Sequence, residues 1–149
     1  MKITTLTKTS KPKEVQAAWV EALKSKKYQQ GKFRLCLVNG EEKTYCCLGV
    51  LCDLAVKASV IPVPIHTERF SDTHRSVVYT CNLPPSVTRW AGLTRGHGPY
   101  YNSKGKVFSL SNDNDKSKSF SQIARTIRRK PKGLFRETGK DDHDNTQAA

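Results

Sequence analysis

Methionine occurs once in this chain and histidine four times, aromatic residues make up only 8%, and 13 acidic side chains stand against 26 basic ones. Long apolar runs are missing too. No stretch approaches the ~18 consecutive apolar residues of a membrane-spanning helix, and the first thirteen residues contain no apolar core of a secretory signal. There is no C-x-x-C pair, so zinc-finger and zinc-ribbon spacings are excluded. Neither G-x-x-x-x-G-K nor G-x-G-x-x-G occurs, which removes the common phosphate cradles. The acidic run beginning at Asp113 has Lys118 and Ala124 where a calcium loop needs Gly and Glu. No metal and no cofactor is therefore expected, and the cysteine usage fits a reducing cytoplasm without a membrane anchor.

What is present is positive charge. The formal net charge is +13 over 149 residues, and residues 131–149 carry three basic and four acidic side chains, which leaves +14 in residues 1–130. A field of that sign favours polyanions, either nucleic acid or an acidic protein. The length fits one domain able to bury a core without staples. We expect a flexible arm over residues 1–11, one domain over 12–131, and a polar, disordered tail over 132–149.

The most apolar segment is residues 45–58, Y-C-C-L-G-V-L-C-D-L-A-V-K-A. Leu48, Leu51, Cys52 and Ala55 recur at helical spacing, and Cys47, Val50 and Leu54 cover the other side. A helix apolar nearly all round is a buried one. Gly49 within it is expected to permit close packing, against the first helix. That first helix should follow Ser10 or Lys11, with Pro12 in its first turn and Val15, Ala18, Trp19, Ala22 and Leu23 inward. Trp19 reads as a core anchor. Residues 33–38, F-R-L-C-L-V, read as a strand, Asn39-Gly40 as a hairpin turn, and residues 41–45 as the return strand.

Further on, the prolines in residues 60–65 predict an edge or extended loop, and residues 76–80 a short strand. Pro84-Pro85 opens a short helix carrying Val87 and Trp90 and closed by Gly92. Residues 94–106 predict a long loop, residues 107–110 a strand, and residues 112–115 a turn. Ser119-Phe-Ser-Gln122 is a capping box. The helix after it turns Phe120, Ile123, Ala124 and Ile127 to one side and is stopped by Pro131. These elements predict an α+β domain of three or four helices packed on a small, mostly antiparallel sheet around a buried central helix.

Three sets of residues are candidates for function. Arg125, Arg128, Arg129 and Lys130, with Lys26 and Lys27, form an electrostatic footprint for nucleic-acid phosphates without sequence readout. Arg95, Gly96, His97, Tyr100 and Tyr101 lie in a glycine loop that could grip an anion or stack on a base. Cys46 or Cys47, at a helix start that lowers a thiol pKa, could serve a Cys-dependent hydrolase with His74 or His97. Burial explains the cysteines more simply, because free Cys packs as a small hydrophobe.

Residues 45–53, then Leu83-Pro84 with Val87 and residues 90–93 (W-A-G-L), then residues 110–113 (L-S-N-D) with Ser119-Phe120 and Ile123-Ala124, form a pattern. With Trp19, Ala22, Leu23 and Tyr28 before it, the pattern resembles a family of small uncharacterised proteins encoded mainly by bacteriophages and prophages. The resemblance spans residues 15–127. It implies an infected bacterial cytoplasm, where small accessory proteins often act by binding, and it implies no catalytic residue. Residues 65–75 and the basic last helix depart from the pattern. The expectation is a non-enzymatic accessory protein that binds nucleic acid backbone. The alternative is an inhibitor that sequesters a host defence or regulatory factor.

Overall fold

The computed structural model describes residues 5–64, 70 and 82–137. The strand expected at residues 76–80, the segment 65–75 apart from Phe70, His74 and Cys81 lie outside the described residues. The order is α1 (Pro12–Lys24), β1 (Gln29–Gln30), β2 (Cys36–Asn39), β3 (Glu42–Tyr45), α2 (Cys47–Lys57), α3 (Pro85–Trp90), β4 (Pro99–Tyr101), β5 (Val107–Ser109), α4 (Leu110–Asp115) and α5 (Phe120–Arg129). One sheet has the order β1-β3-β2, with β1 parallel to β3 and β2 antiparallel to it, and a second sheet pairs β4 with β5 antiparallel. This is a compact α+β fold.

The core forms on α2. Leu48, Val50, Leu51, Cys52 and Ala55 are fully buried, as is Cys47. Trp19 is buried across from them, and its indole N–H donates to the Cys47 carbonyl at 2.9 Å. That bond satisfies the one polar atom of a ring that otherwise contributes only apolar area. Gly49 does allow a close approach, but not to α1. A Cβ there would lie 1.7 Å from the Leu35 carbonyl oxygen, so the segment before β2 crosses directly over the helix.

That crossing explains why β2 starts at Cys36 instead of residue 33. Phe33 takes φ +68, and its N–H donates to the Asp115 side chain at 2.8 Å. The chain wraps α4 before it extends. Residues 112–115 are likewise the body of α4, not a free turn, because Ser109 caps the helix by accepting from Asn112 N–H at 3.1 Å. Asn114 is fully buried there. Its Oδ1 accepts from Gln30 Nε2 at 2.9 Å and from Cys47 N–H at 3.1 Å, and its Nδ2 donates to the Gly31 carbonyl at 2.8 Å. One side chain thus joins α4, α2 and the first sheet.

The body is longer than residues 12–131. Leu6 packs against the core, and the Thr7 carbonyl accepts the Trp90 indole N–H at 3.0 Å. Beyond α5, Leu134 is fully buried and Phe135 bridges Leu93, so the segment up to residue 137 is not a detached tail. No described helix is long and apolar enough to cross a membrane.

Candidate nucleic-acid interface

Helix α5 is built as its sequence predicts. Ser119 and Gln122 cap it reciprocally, Oγ accepting from Gln122 N–H at 3.1 Å and the Gln122 side chain accepting from Ser119 N–H at 2.9 Å. Phe120, Ile123, Ala124 and Ile127 are buried. That face fixes the helix and turns Arg125, Arg128 and Arg129 outward, at the i, i+3, i+4 spacing that groups side chains on one face. No described carboxylate pairs with these arginines, and Arg129 donates to Thr126 Oγ1 at 3.5 Å. Lys130 ends the helix in the left-handed conformation, φ +51, and is exposed.

The chain then returns past the glycine loop. The Lys132 carbonyl accepts from Tyr101 N–H at 2.8 Å, and the Leu134 carbonyl accepts from Thr94 N–H at 3.0 Å. Arg136 N–H donates to the Gly92 carbonyl at 2.8 Å. These three bonds hold the end of α5 beside residues 92–101. Two of the expected groups, Arg129-Lys130 and the loop containing Arg95 and Tyr101, therefore meet at one end of the molecule.

Within the loop the geometry differs from an anion cradle. Residues 99–101 are a strand, not part of a long loop. Gly98 N–H donates to the Arg95 carbonyl at 3.2 Å, and the Gly96 carbonyl accepts from Leu83 N–H at 3.0 Å. The carbonyls of His97 and Gly98 accept from Ser111 and Leu110, the first N–H groups of α4. The loop thus covers a helix start with its oxygens. Tyr100 is buried, and its hydroxyl donates to Asp113. Burial first, then that bond, raises the Tyr100 pKa, and the nearby Arg129 charge opposes the rise. Tyr100 is a structural group and Tyr101, 45% exposed, is the accessible aromatic.

Lys26 and Lys27 stand elsewhere. Phe120 N–H at the start of α5 donates to Gln30 Oε1 at 3.2 Å, just past the end of α1, while Pro12 at the start of α1 lies against Gly92. These contacts set α5 antiparallel to α1. Both lysines are exposed, in the connector after α1, where Lys26 takes φ +64. They lie near the first turn of α5 and away from Arg128–Lys130.

The cysteines form a core feature. Cys46 is the N-cap of α2, its Sγ accepting from Gly49 N–H at 3.4 Å. The Cys47 thiol is fully buried and donates to the Leu110 carbonyl at 3.6 Å. Burial pushes the pKa of Cys47 and Cys52 well up, which opposes the thiolate a nucleophile needs. Among the described residues no group of three or more His, Cys, Asp or Glu is placed to hold a metal ion.

Lys132 continues the basic run read from the sequence, whereas Lys104, Lys106 and Val107 belong to this end of the molecule and were not among the residues expected from the sequence. The signal was available in residues 100–108, Y-Y-N-S-K-G-K-V-F, where two aromatic-apolar pairs flank a glycine-containing turn.

A compact α+β domain with one strongly basic end is the class these observations define. The chain belongs to the family described as Domain of unknown function (DUF8296), which matches residues 11–131. No curated protein and no solved structure matches it.

Proposed function

We propose that this protein binds nucleic acid through the sugar-phosphate backbone, without sequence readout and without chemistry of its own. The observation that carries this is the exposed arginine face of α5, free of described carboxylate partners and continuous with Lys130 and Lys132. Guanidinium groups without a counter-ion among the described residues keep their donors for phosphate oxygens. Helices α4 and α5 are joined by the short turn 116–119, but the arginines lie in the second half of α5, whereas a helix-turn-helix reads base edges from the N-terminal residues of its second helix, so phosphate contact is the better reading than major-groove recognition. Lys26 and Lys27 extend the positive field as a separate patch.

The setting that goes with this is the cytoplasm of an infected bacterium, where the chain would act as a phage accessory protein. The alternative, sequestration of an acidic host protein, would use the same basic end. Capture from lysate separates them: a nucleic-acid binder loses its co-purifying material on nuclease treatment, and a protein sequestrant keeps it. The direct test is binding to mixed-sequence DNA and RNA by the natural chain and by a variant with Arg125, Arg128 and Arg129 changed to Ala. The variant is expected to bind at least about tenfold more weakly at low salt. Equal binding by both would overturn the assignment to α5.

A further inference from the structure

The β4–β5 hairpin displays an aromatic-aliphatic pair beside the basic end of α5. Tyr101 and Val107 are directly paired across the strands, and both point outward, 45% and 58% exposed. The opposite face of the hairpin is filled by Tyr100 and Phe108, whose rings stack 5.8 Å apart. The alternation of the strands therefore leaves one apolar pair in solvent while the other supports it.

Three features make this pair a firm surface. Tyr101 N–H is tied to the Lys132 carbonyl at 2.8 Å. Its ring lies against Gly133, where a Cβ would come within 3.0 Å of the ring carbons and φ is +89. The hairpin tip is closed by Asn102, whose Oδ1 accepts from both Lys104 and Lys106 N–H at 2.9 Å. Lys104 is exposed at that tip and Lys132 on the other side of Tyr101, while Lys106 Nζ lies over the Phe108 ring, 5.6 Å from its centre. Cations thus flank a held aromatic ring.

We infer that Tyr101 with Val107 forms a stacking platform for an unpaired base, making single-stranded nucleic acid the preferred ligand of the basic end. This rests on the nucleic-acid reading above and narrows it. In a duplex the base faces are covered by their neighbours, so an exposed ring gains contact only from an unstacked base. Lys104 and Lys132 then meet the phosphates on either side of that base. Stacking is tolerant of sequence because every base has a π-face.

The test uses the full chain and fluorescence anisotropy with three probes: an oligothymidylate, an oligouridylate, and a duplex matched in phosphate number. Tyr101→Ala is expected to weaken single-strand binding by roughly 5- to 150-fold. Duplex binding is expected to change by less than about twofold, since every phosphate-binding cation is retained. Tyr101→Phe keeps the ring and is expected to bind like the natural chain, which separates stacking from misfolding. Unchanged single-strand binding in Tyr101→Ala, or equal weakening on strand and duplex, would overturn the platform and leave the α5 reading standing. No binding of any probe by the natural chain at low salt would overturn both.

Discussion

Gly49 and Asn114 show how single residues set this architecture. A methyl group at position 49 would sit 1.7 Å from the Leu35 carbonyl oxygen, an overlap that only a backbone shift can relieve. Gly49→Ala, a gain in helix propensity anywhere else, is expected to cost about 3 kcal/mol or more in a denaturant titration. Asn114→Ala would strip partners from Cys47 N–H, Gln30 Nε2 and the Gly31 carbonyl at once. Removing a hub that leaves buried polar groups unpaired is expected to cost about 3 kcal/mol by the same measurement. The thiols give a third expectation. Cys47 and Cys52 are fully buried with raised pKa values, so both should alkylate slowly near neutral pH and react only on unfolding, as read by mass spectrometry of labelled peptides. Fast labelling of Cys47 in the folded chain would revive the hydrolase alternative.

At the scale of elements, α5 divides cleanly into a face that folds and a face that does not. Changing Arg125, Arg128 and Arg129 to Ala is expected to alter stability by less than about 0.5 kcal/mol, because exposed side chains without ion partners contribute little. Changing Ile123 or Ile127 to Ala should cost about 2–5 kcal/mol, since both are fully buried. Helices α1, α3 and α5 were legible because each combines apolar spacing with a local start signal, Pro12, Pro85 and the Ser119 box, and α2 was legible from its apolar periodicity alone. The segments that misled are those whose conformation is set from a distance. Phe33 belongs to an apolar run but is bent away by Asp115, and residues 112–115 have turn composition yet form a helix whose Asn114 is held by Gln30, Gly31 and Cys47, although its Ser109 cap is local. Tertiary partners outweigh local propensity at such places. The candidate site was half legible. Charge on α5 can be read from spacing, but the meeting of α5 with Tyr101 depends on three backbone bonds between distant residues, and the separation of Lys26 and Lys27 depends on antiparallel packing.

The whole molecule is a basic body with a largely apolar buried centre, and its buried thiols and tyrosines make pH act on it from the alkaline side. Cys47 and Cys52 are raised above the ordinary thiol value of 9.0, and Tyr28 and Tyr100 above 10.0, by burial before any other cause. The folded state therefore holds these protons more tightly than the unfolded chain. Their contribution to stability is complete below about pH 8, where the unfolded thiols are still protonated, and is lost as pH rises toward the folded values. Thermal melting should show a plateau through neutral pH and a falling Tm above about pH 9. Partial exposure of Tyr28 keeps its share of that loss small compared with the thiols.

On the proposed reading, this positive body holds phosphates through the end of α5. The decisive experiment is a salt series of binding titrations against mixed-sequence single- and double-stranded nucleic acid, with the arginine triple variant alongside. The natural chain is expected to show a log-log salt dependence, and the variant a shallower one, by about 0.7–0.9 for each phosphate its missing arginines no longer neutralise. An affinity that stays flat as salt rises, or an identical slope in the variant, would contradict that reading.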